Sequence, residues 1–267
     1  MPVNSGKEWT FNTVADTYGK IRPGYPDELY QALFAYAPLD DSRRALEIGI
    51  GGGQATLPVL KTGCALTAVE YGDQLAQLCR EKFGDYPRFS VITGKFEDAA
   101  LPDGAFDLVY SASAFHWVPE EIGYPKVLRI LKSGGAFARF ANHPYRAGDN
   151  PELFDAINRV YAEHYYTYYT GKKQPDQYPV YSEEQTAERA RIADRYGFRE
   201  TRYELFRRVR VLTAAEYRML IGTYSDHIAM EENVRERFFN AVEDAIVRYG
   251  GTISVYDTID MQLARKP

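Results

Sequence analysis

The stretch Ala45–Thr56 (ALEIGIGGGQAT) indicates the fold of this chain. The apolar run at its start, within Arg44–Ile48, predicts a buried strand because a cluster of glycines ends it abruptly. Gly49, Gly51 and Gly53 follow at alternate positions, and a helical pattern resumes after them. Glycine is used where a backbone turns sharply or where a ligand packs against it. We therefore predict a strand, a glycine loop and a helix, with a nucleotide-type ligand at the carboxyl end of the strand.

Short strands and helices alternate outward from this loop. Further strands are predicted at Ala65–Val69, Phe89–Ile92, Phe106–Ser111 and Ala136–Ala141, with helical segments between them. This alternation predicts a parallel sheet that carries helices on both faces. The regular alternation of strands and helices ends after His143. The later segments are interpreted as insertions into a single domain over residues 1–267.

The composition excludes several classes of protein. The chain has 267 residues, of which 45% are hydrophobic and 26% charged, as in ordinary globular proteins and unlike disordered or fibrous chains. No apolar run approaches the roughly 20 residues that span a bilayer, so no membrane partner is expected. A net charge of −5 argues against a nucleic-acid partner. The polar start of the chain and its two cysteines favour a reduced, cytoplasmic protein.

The glycine loop does not match the dinucleotide fingerprint. That pattern requires Gly or Ala at the sixth position counted from Gly49, where this chain has Gln54. An anionic pyrophosphate would also lie close to Glu47, which precedes the first glycine by two residues. A cationic ligand tolerates that carboxylate better.

The pattern Glu47-x-Gly49-x-Gly51-x-Gly53 resembles the first motif of the class I S-adenosylmethionine-dependent methyltransferases. The resemblance continues along the chain, in the order and spacing of that family's type 11 branch. It is carried by GKFED (94–98), FDLV (106–109), SASAFHW (111–117) and ILKSGG (130–135). The N-terminal stretch 11–26 is similar to the trans-aconitate-methyltransferase-like members of the branch.

This resemblance implies a Rossmann-like α/β fold with a seven-stranded, mostly parallel sheet, helices on both faces and a helical cap. We assign the cap to residues 1–40, 144–182 and 213–249. The implied activity is S-adenosylmethionine-dependent methyl transfer. Because the chain is acidic and the cap is rich in tyrosine, we expect a small-molecule acceptor that carries a carboxylate or a hydroxyl group.

The family's cofactor site also implies roles for individual residues. Glu70, at the end of the second strand, is expected to accept hydrogen bonds from both ribose hydroxyls. Tyr71 is expected to lie against the adenine. The adenine-side loop supplies Phe96 and Glu97, and Ser111 comes from the end of the fourth strand.

The chain departs from the family at one position of the adenine-side loop. The family often has an acidic residue where Lys95 stands. Glu97 or Asp98 is therefore the expected substitute in bonding the adenine amine.

Other candidate residues have two interpretations each. Glu47 either contacts the ligand directly or caps amides of the loop. Tyr18 and Arg22 either cover the methionine end of the cofactor, with Arg22 pairing its carboxylate, or form an ordinary surface contact. His116, just past the fourth strand, is either a general base or a structural histidine.

The later segments contain two further clusters. The four tyrosines between positions 165 and 169 either line an acceptor pocket or pack within the cap. The arginines at 207, 208 and 210 are expected on an exposed strand, without a function. Two cysteines and four scattered histidines predict no metal site.

Two other classes of protein compete with a methyltransferase. A nicotinamide-dependent oxidoreductase is disfavoured by Gln54 and by the lack of a suitably placed Tyr-x-x-x-Lys pair. A non-catalytic cofactor-binding or scaffolding protein would keep the glycine loop and Glu70 but would lack an open acceptor side.

Overall fold

The computed structural model describes residues 15–175 and 180–267 of the chain. The strands in these ranges are β1 (Arg44–Ile48), β2 (Ala65–Glu70), β3 (Phe89–Thr93), β4 (Phe106–Ala112), β5 (Leu131–Tyr145), β6 (Arg199–Thr213) and β7 (Thr252–Arg265). The helices are α1 (Ala15–Ile21), α2 (Asp27–Tyr36), α3 (Thr56–Leu60), α4 (Asp73–Lys82), α5 (Glu120–Ile130), α6 (Pro151–Val160), α7 (Glu183–Arg195), α8 (Ala214–Ile221), α9 (Ser225–Ile228) and α10 (Glu232–Arg248). A 3-10 turn covers Phe115–Trp117 and a π-helical turn covers Tyr161–Tyr166.

The strands form one seven-stranded sheet in the order β3-β2-β1-β4-β5-β7-β6. The pairs that join β3, β2, β1, β4 and β5 are parallel, which confirms the predicted fold class. β2 and β3 are added in turn on one side of β1, and the chain then crosses to place β4 on the other side of β1. Ligands of open α/β sheets bind at such a reversal, outside the carboxyl ends of the strands.

Both faces of the sheet are covered by apolar side chains. On β4, Leu108 and Tyr110 belong to one buried cluster, and Val109 belongs to the other. Helices α2 and α3 contribute to the first cluster, whereas α5 and α7 contribute to the second. A central parallel strand is buried on both faces, which explains why Leu108, Val109 and Tyr110 of β4 form a consecutive apolar run rather than an alternating one.

The chain divides into two compact units. One contains the residues up to Asn142, Tyr181–Phe206 and Ile259–Pro267, and the other contains His143–Val180 and Arg207–Thr258. The predicted cap segments 144–182 and 213–249 fall mainly in the second unit, whereas segment 1–40 belongs to the first. Residues 1–14 and 176–179 of these segments lie outside the described residues. A single domain with a helical cap stays a prediction.

Among the described helices, none combines the length and apolar character required to cross a membrane.

Candidate functional site

The three glycines after β1 have a left-handed backbone. Gly49, Gly51 and Gly53 have φ angles of +70°, +56° and +77°, which side-chain-bearing residues rarely adopt. A Cβ on Gly49 would lie 2.3 Å from the Cβ of Ala114, so the loop also runs close to the segment that follows β4. The glycines are therefore required by backbone conformation and by close approach.

The Glu70 carboxylate holds this loop from the end of the neighbouring strand. Its Oε2 accepts a hydrogen bond from the Gly51 amide at 2.8 Å, and its Oε1 accepts one from the Gly72 amide at 2.9 Å. Burial raises the pKa of Glu70, while these amides and that of Tyr71 act in the opposite direction. A carboxylate offers about four acceptor sites, so Glu70 keeps capacity for a hydroxyl donor.

Glu47 lies beneath the loop on β1 and is almost fully buried. Its Oε2 accepts hydrogen bonds from the hydroxyls of Thr56 and Tyr110, both at 2.7 Å. Its Oε1 is buried and has no hydrogen-bond partner among the described residues. Burial raises the pKa of Glu47 to about 8, against the effect of the two hydroxyls. Glu47 thus bonds to side-chain hydroxyls rather than to loop amides.

Helix α1 packs against the same loop. Gln54 donates from its amide nitrogen to the Tyr18 carbonyl at 3.2 Å, and the Tyr18 ring edge lies 3.3 Å from the position of a Cβ on Gly51. The Arg22 guanidinium lies 5.1 Å from the centre of the Tyr18 ring. The structure therefore brings the predicted residue Tyr18 to the glycine loop and the predicted residue Arg22 to the Tyr18 ring.

The loop after β3, which the family resemblance assigns to the adenine side, is held by a lysine that is not among the predicted site residues. Lys126 of α5 donates to the carbonyls of Phe96, Glu97 and Ala99 at 2.6, 2.9 and 2.7 Å. The Phe96 ring is buried in the core cluster that also contains residues of α5. A lone lysine on a helix has no sequence signal that would identify these bonds.

Tyr71, which is expected to lie against the adenine, differs in exposure from the buried Phe96. The Tyr71 ring is 48% exposed, and the Lys95 ammonium lies 5.6 Å from its centre. Lys95 thus makes a cation–π interaction with the Tyr71 ring. The acidic residue that the family often has at this position could not make this interaction.

The end of β4 is tied to β1 and to the segment before α2. The Ser111 hydroxyl is buried and donates to the Ile48 carbonyl at 2.8 Å. The hydroxyls of Tyr25 and Ser113 lie 2.8 Å apart, and Ser113 has a left-handed φ of 55°. These contacts fix the loop between β4 and α5, which carries His116.

His116 is exposed at the surface of the 3-10 turn, with its ring centre 5.1 Å from that of Trp117. The preceding residue, Phe115, is buried against Tyr124 and Phe137 and anchors the turn. An exposed imidazole is accessible to an acceptor, whereas a buried structural histidine is not.

The tyrosine cluster of the second unit surrounds an acid. Tyr165 is buried and donates its hydroxyl to the Asp226 carboxylate, which the Lys172 ammonium also contacts at 3.1 Å. Burial alone would raise the pKa of Asp226, but His227, Tyr165 and Lys172 lower it to about 2. Within this unit the Tyr165 ring is thus part of a packed polar cluster.

The expectation that the arginines of β6 are exposed was wrong for two of them. Arg208 and Arg210 both bond to Asp257, whose side chain is fully buried, with shortest distances of 3.1 and 2.6 Å. The arginine-rich sequence looked like a solvated strand because Asp257 lies 47 residues beyond Arg210.

The described residues contain no group of three His, Cys, Asp or Glu side chains placed to hold a metal ion.

Residues 46–138 match the sequence model of a family described as "Methyltransferase domain". An uncharacterized methyltransferase of Mycobacterium tuberculosis is 30% identical over 151 residues, which are 56% of this chain and 59% of that relative. The chain therefore matches about three fifths of the length of such relatives. An uncharacterized methyltransferase of a Geobacillus species is 30% identical over 146 residues, which are 51% of this chain and 67% of that protein.

The fold has solved counterparts. A protein from Anaeromyxobacter dehalogenans, described as a type II methyltransferase, superposes with a TM-score of 0.62 over 91% of this chain and 97% of that one. Its sequence is 20% identical, so this likeness concerns the fold alone.

Proposed function

Since this chain belongs to the class I S-adenosylmethionine-dependent methyltransferase family, we propose that it binds S-adenosylmethionine at the loop after β1 and methylates a small molecule. The observation that carries the proposal is the pairing of the left-handed glycine loop with the Glu70 carboxylate at adjacent strand ends. A nucleoside that lies across these two strand ends would pack against the glycine backbone on one side. On the other side its ribose hydroxyls could donate hydrogen bonds to the Glu70 carboxylate.

The residues of the site fit this cofactor. The unsatisfied Oε1 of Glu47 lies buried beneath the loop, and burial raises the pKa of this carboxyl against a smaller, opposite effect of Lys82. A cationic ligand above the loop would stabilise the carboxylate form of Glu47 and lower that pKa. A dinucleotide pyrophosphate would have the opposite effect, which supports the choice of cofactor.

S-adenosylmethionine supplies, when bound, a methyl group on a sulfonium centre that a nucleophile can displace in line. The chain has to hold the cofactor, orient the acceptor and exclude water. Glu70 accepts hydrogen bonds from the ribose hydroxyls, and the exposed face of Tyr71 covers the adenine. Tyr18 and Arg22 cover the methionine end, where the guanidinium pairs with the carboxylate.

The acceptor is a small molecule that presents a carboxylate or a hydroxyl. The net charge of −5 repels the phosphates of nucleic acids, so the chain is a poor match for a DNA or RNA acceptor. A carboxylate acceptor needs no base, whereas a hydroxyl must lose a proton. In the second case His116 accepts that proton, because its imidazole is exposed on the turn that follows β4.

Two measurements test the proposal. Calorimetry with S-adenosylmethionine and S-adenosylhomocysteine should show binding, and nicotinamide dinucleotides should not bind. A screen of carboxylic acids, phenols and alcohols with methyl-labelled cofactor should then identify an acceptor. The absence of cofactor binding would reject the proposal. Cofactor binding without labelling of any acceptor class would favour the non-catalytic alternative.

A further inference from the structure

The loop after β4 begins with a serine that has a left-handed backbone. Among the described residues other than glycine, only Ser113 and Glu200 have a positive φ, and that of Ser113 is 55°. This conformation brings the Cβ of an L-residue too close to its own backbone, so it persists only where the surroundings hold it. The contacts of Ser113 therefore determine the path of the loop.

The side chain and the amide of Ser113 are both held. Its hydroxyl lies 2.8 Å from the Tyr25 hydroxyl and accepts a hydrogen bond from the Asn142 amide at 3.2 Å. Its own amide donates to the Phe140 carbonyl at 2.8 Å. Glycine would suit the left-handed backbone better but would lose both contacts of the hydroxyl. The serine is thus required for its hydroxyl.

Tyr25 is itself fixed in the segment between α1 and α2. Its ring packs edge-to-face on Phe140, with ring centres 4.7 Å apart. Burial raises the pKa of the Tyr25 hydroxyl, which therefore keeps its proton at neutral pH. A Cβ on the adjacent Gly24 would lie 3.4 Å from the Gln54 carbonyl oxygen, so this segment runs along the glycine loop. Tyr25 thus connects that segment with the end of β4.

The loop that Ser113 begins lies beside the proposed cofactor site. Ala114 follows, and a Cβ on Gly49 would lie 2.3 Å from the Ala114 Cβ. The 3-10 turn Phe115–Trp117 comes next and exposes His116. The glycine loop and this loop follow neighbouring parallel strands at the same edge of the sheet. In the proposed function, a cofactor at the glycine loop meets its acceptor beside this second loop.

We propose that Tyr25 is a positioning residue for methyl transfer, because its hydroxyl holds Ser113 and, through Ser113, the loop on the acceptor side. This inference rests on the proposed function. The role differs from that of Tyr18, whose ring packs on the glycine loop itself. Loss of the Tyr25 hydroxyl should therefore impair turnover without weakening cofactor binding.

Amide hydrogen exchange without any ligand measures the loop directly. Tyr25→Phe keeps the aromatic ring on Phe140 and removes only the hydroxyl. The amides of residues 113–118 should exchange about three- to tenfold faster in this variant than in the wild type. Tyr203→Phe removes the hydroxyl of a tyrosine that is 39% exposed on β6 and should exchange like the wild type.

Ligand measurements separate positioning from cofactor contact. Calorimetry should give an affinity of Tyr25→Phe for S-adenosylhomocysteine within about twofold of the wild-type value. With an acceptor from the labelling screen, kcat should fall about three- to tenfold, while the KM for S-adenosylmethionine should change less than about twofold.

Variants of Ser113 separate its hydroxyl from its backbone. Ser113→Ala keeps the Cβ and loses the hydroxyl, so its loop should exchange at least as fast as that of Tyr25→Phe. Adding Tyr25→Phe to Ser113→Ala should change little, since both substitutions remove the same bond. Ser113→Gly adopts the left-handed backbone without steric cost and should recover part of the slow exchange. If Ser113→Ala does not fold, the comparison of Tyr25→Phe with the wild type still decides.

The possible results have distinct meanings. Equal exchange of the loop in wild type and Tyr25→Phe would overturn the inference. A tenfold or greater loss of S-adenosylhomocysteine affinity in Tyr25→Phe would overturn it too, because Tyr25 would then belong to the cofactor site. Faster exchange in a protein whose wild type binds no cofactor would reject the proposed function and leave Tyr25 with a structural role.

Discussion

The Gly51 amide donates a 2.8 Å hydrogen bond to the Glu70 carboxylate, so the acid that ends β2 holds the loop that follows β1. Glu70 consequently has two roles in the proposed function. Its carboxylate holds the glycine loop in place before a ligand binds. In the proposed complex the same carboxylate accepts hydrogen bonds from the ribose hydroxyls. These two roles can be separated by measuring affinity and stability in the same variant.

We expect Glu70→Ala to weaken S-adenosylhomocysteine binding by at least about tenfold, since a charge-assisted hydrogen bond contributes about 1.5–3 kcal/mol. Calorimetry measures the affinity, and thermal unfolding measures the cost of the freed Gly51 and Gly72 amides. Glu81→Ala, on the exposed side of α4, is the matched control. A lower Tm with an unchanged affinity would restrict Glu70 to the loop-holding role.

Lys126→Met should loosen the adenine-side loop. The variant removes three donated hydrogen bonds to carbonyls of that loop and should cost about 1.5–3 kcal/mol of unfolding free energy. Amide hydrogen exchange over residues 94–99 should become faster, and S-adenosylhomocysteine should bind more weakly. Lys61→Met, at an exposed position after α3, should leave both readouts unchanged. Unaltered exchange in the Lys126 variant would contradict this role.

Asp257→Asn should be among the most destabilising polar substitutions of the second unit. It leaves Arg208 and Arg210 without their shared buried carboxylate, a change that typically costs about 3–5 kcal/mol. Urea unfolding measures the effect, and Asp244→Asn on the exposed side of α10 is the control. Equal midpoints for the two variants would show that the arginine cluster contributes little.

Acid should destabilise the chain through His227. Burial lowers the pKa of this imidazole, and its Nδ1 lies 2.9 Å from the Ile221 carbonyl. Because the folded-state pKa lies below the ordinary value of 6.5, the unfolded state binds the proton more readily. The contribution of His227 to stability is therefore fully present above pH 6.5 and decreases as pH falls below it. His227→Asn should flatten this dependence between pH 7.5 and 5, whereas His116→Gln should retain it. An equal pH dependence in wild type and His227→Asn would reject the argument, because the opposite effect of Glu47, whose pKa burial raises to about 8, is present in both proteins.

His116→Gln tests the proposed base once an acceptor is known. With a hydroxyl acceptor, the variant should lose about 10²–10⁴ in turnover and the pH dependence near neutrality. With a carboxylate acceptor, only acceptor binding should change. A flat pH profile and an effect below about threefold with a hydroxyl acceptor would exclude His116 as the base.

The sequence predicted the features that are encoded locally. The glycine loop and the strand before it lie within twelve consecutive residues, where the need for left-handed backbone and for apolar burial can be read directly. The order of strands and helices followed from periodicity, and the seven-stranded sheet followed from the family resemblance. Glu70 was predicted from the family resemblance, because the family's acidic residue stands at the end of the second strand.

The features that the sequence did not predict are contacts between distant positions. Tyr110 bonds to Glu47 across 63 residues, and Lys126 reaches the Phe96 carbonyl across 30 residues. The type of residue at one such position gives no signal of its partner, because the contact exists only after the strands and helices have packed.

The place of β7 in the sheet has a consequence for the kinetics of folding. β7 is the last strand along the sequence, but it lies between β5 and β6, and Ile259, Met261 and Leu263 within it are buried. During synthesis, β5 and β6 leave the ribosome before the strand that joins them. The edges of β5 and β6 that will face β7 can pair with strands of other chains until β7 inserts between them. The pairing of β5 with β7 joins segments that are far apart in the sequence, and such pairing is slow to form. Completion of the sheet is therefore expected to be a late step of folding, and intermediates that precede it are expected to be the ones that need chaperones.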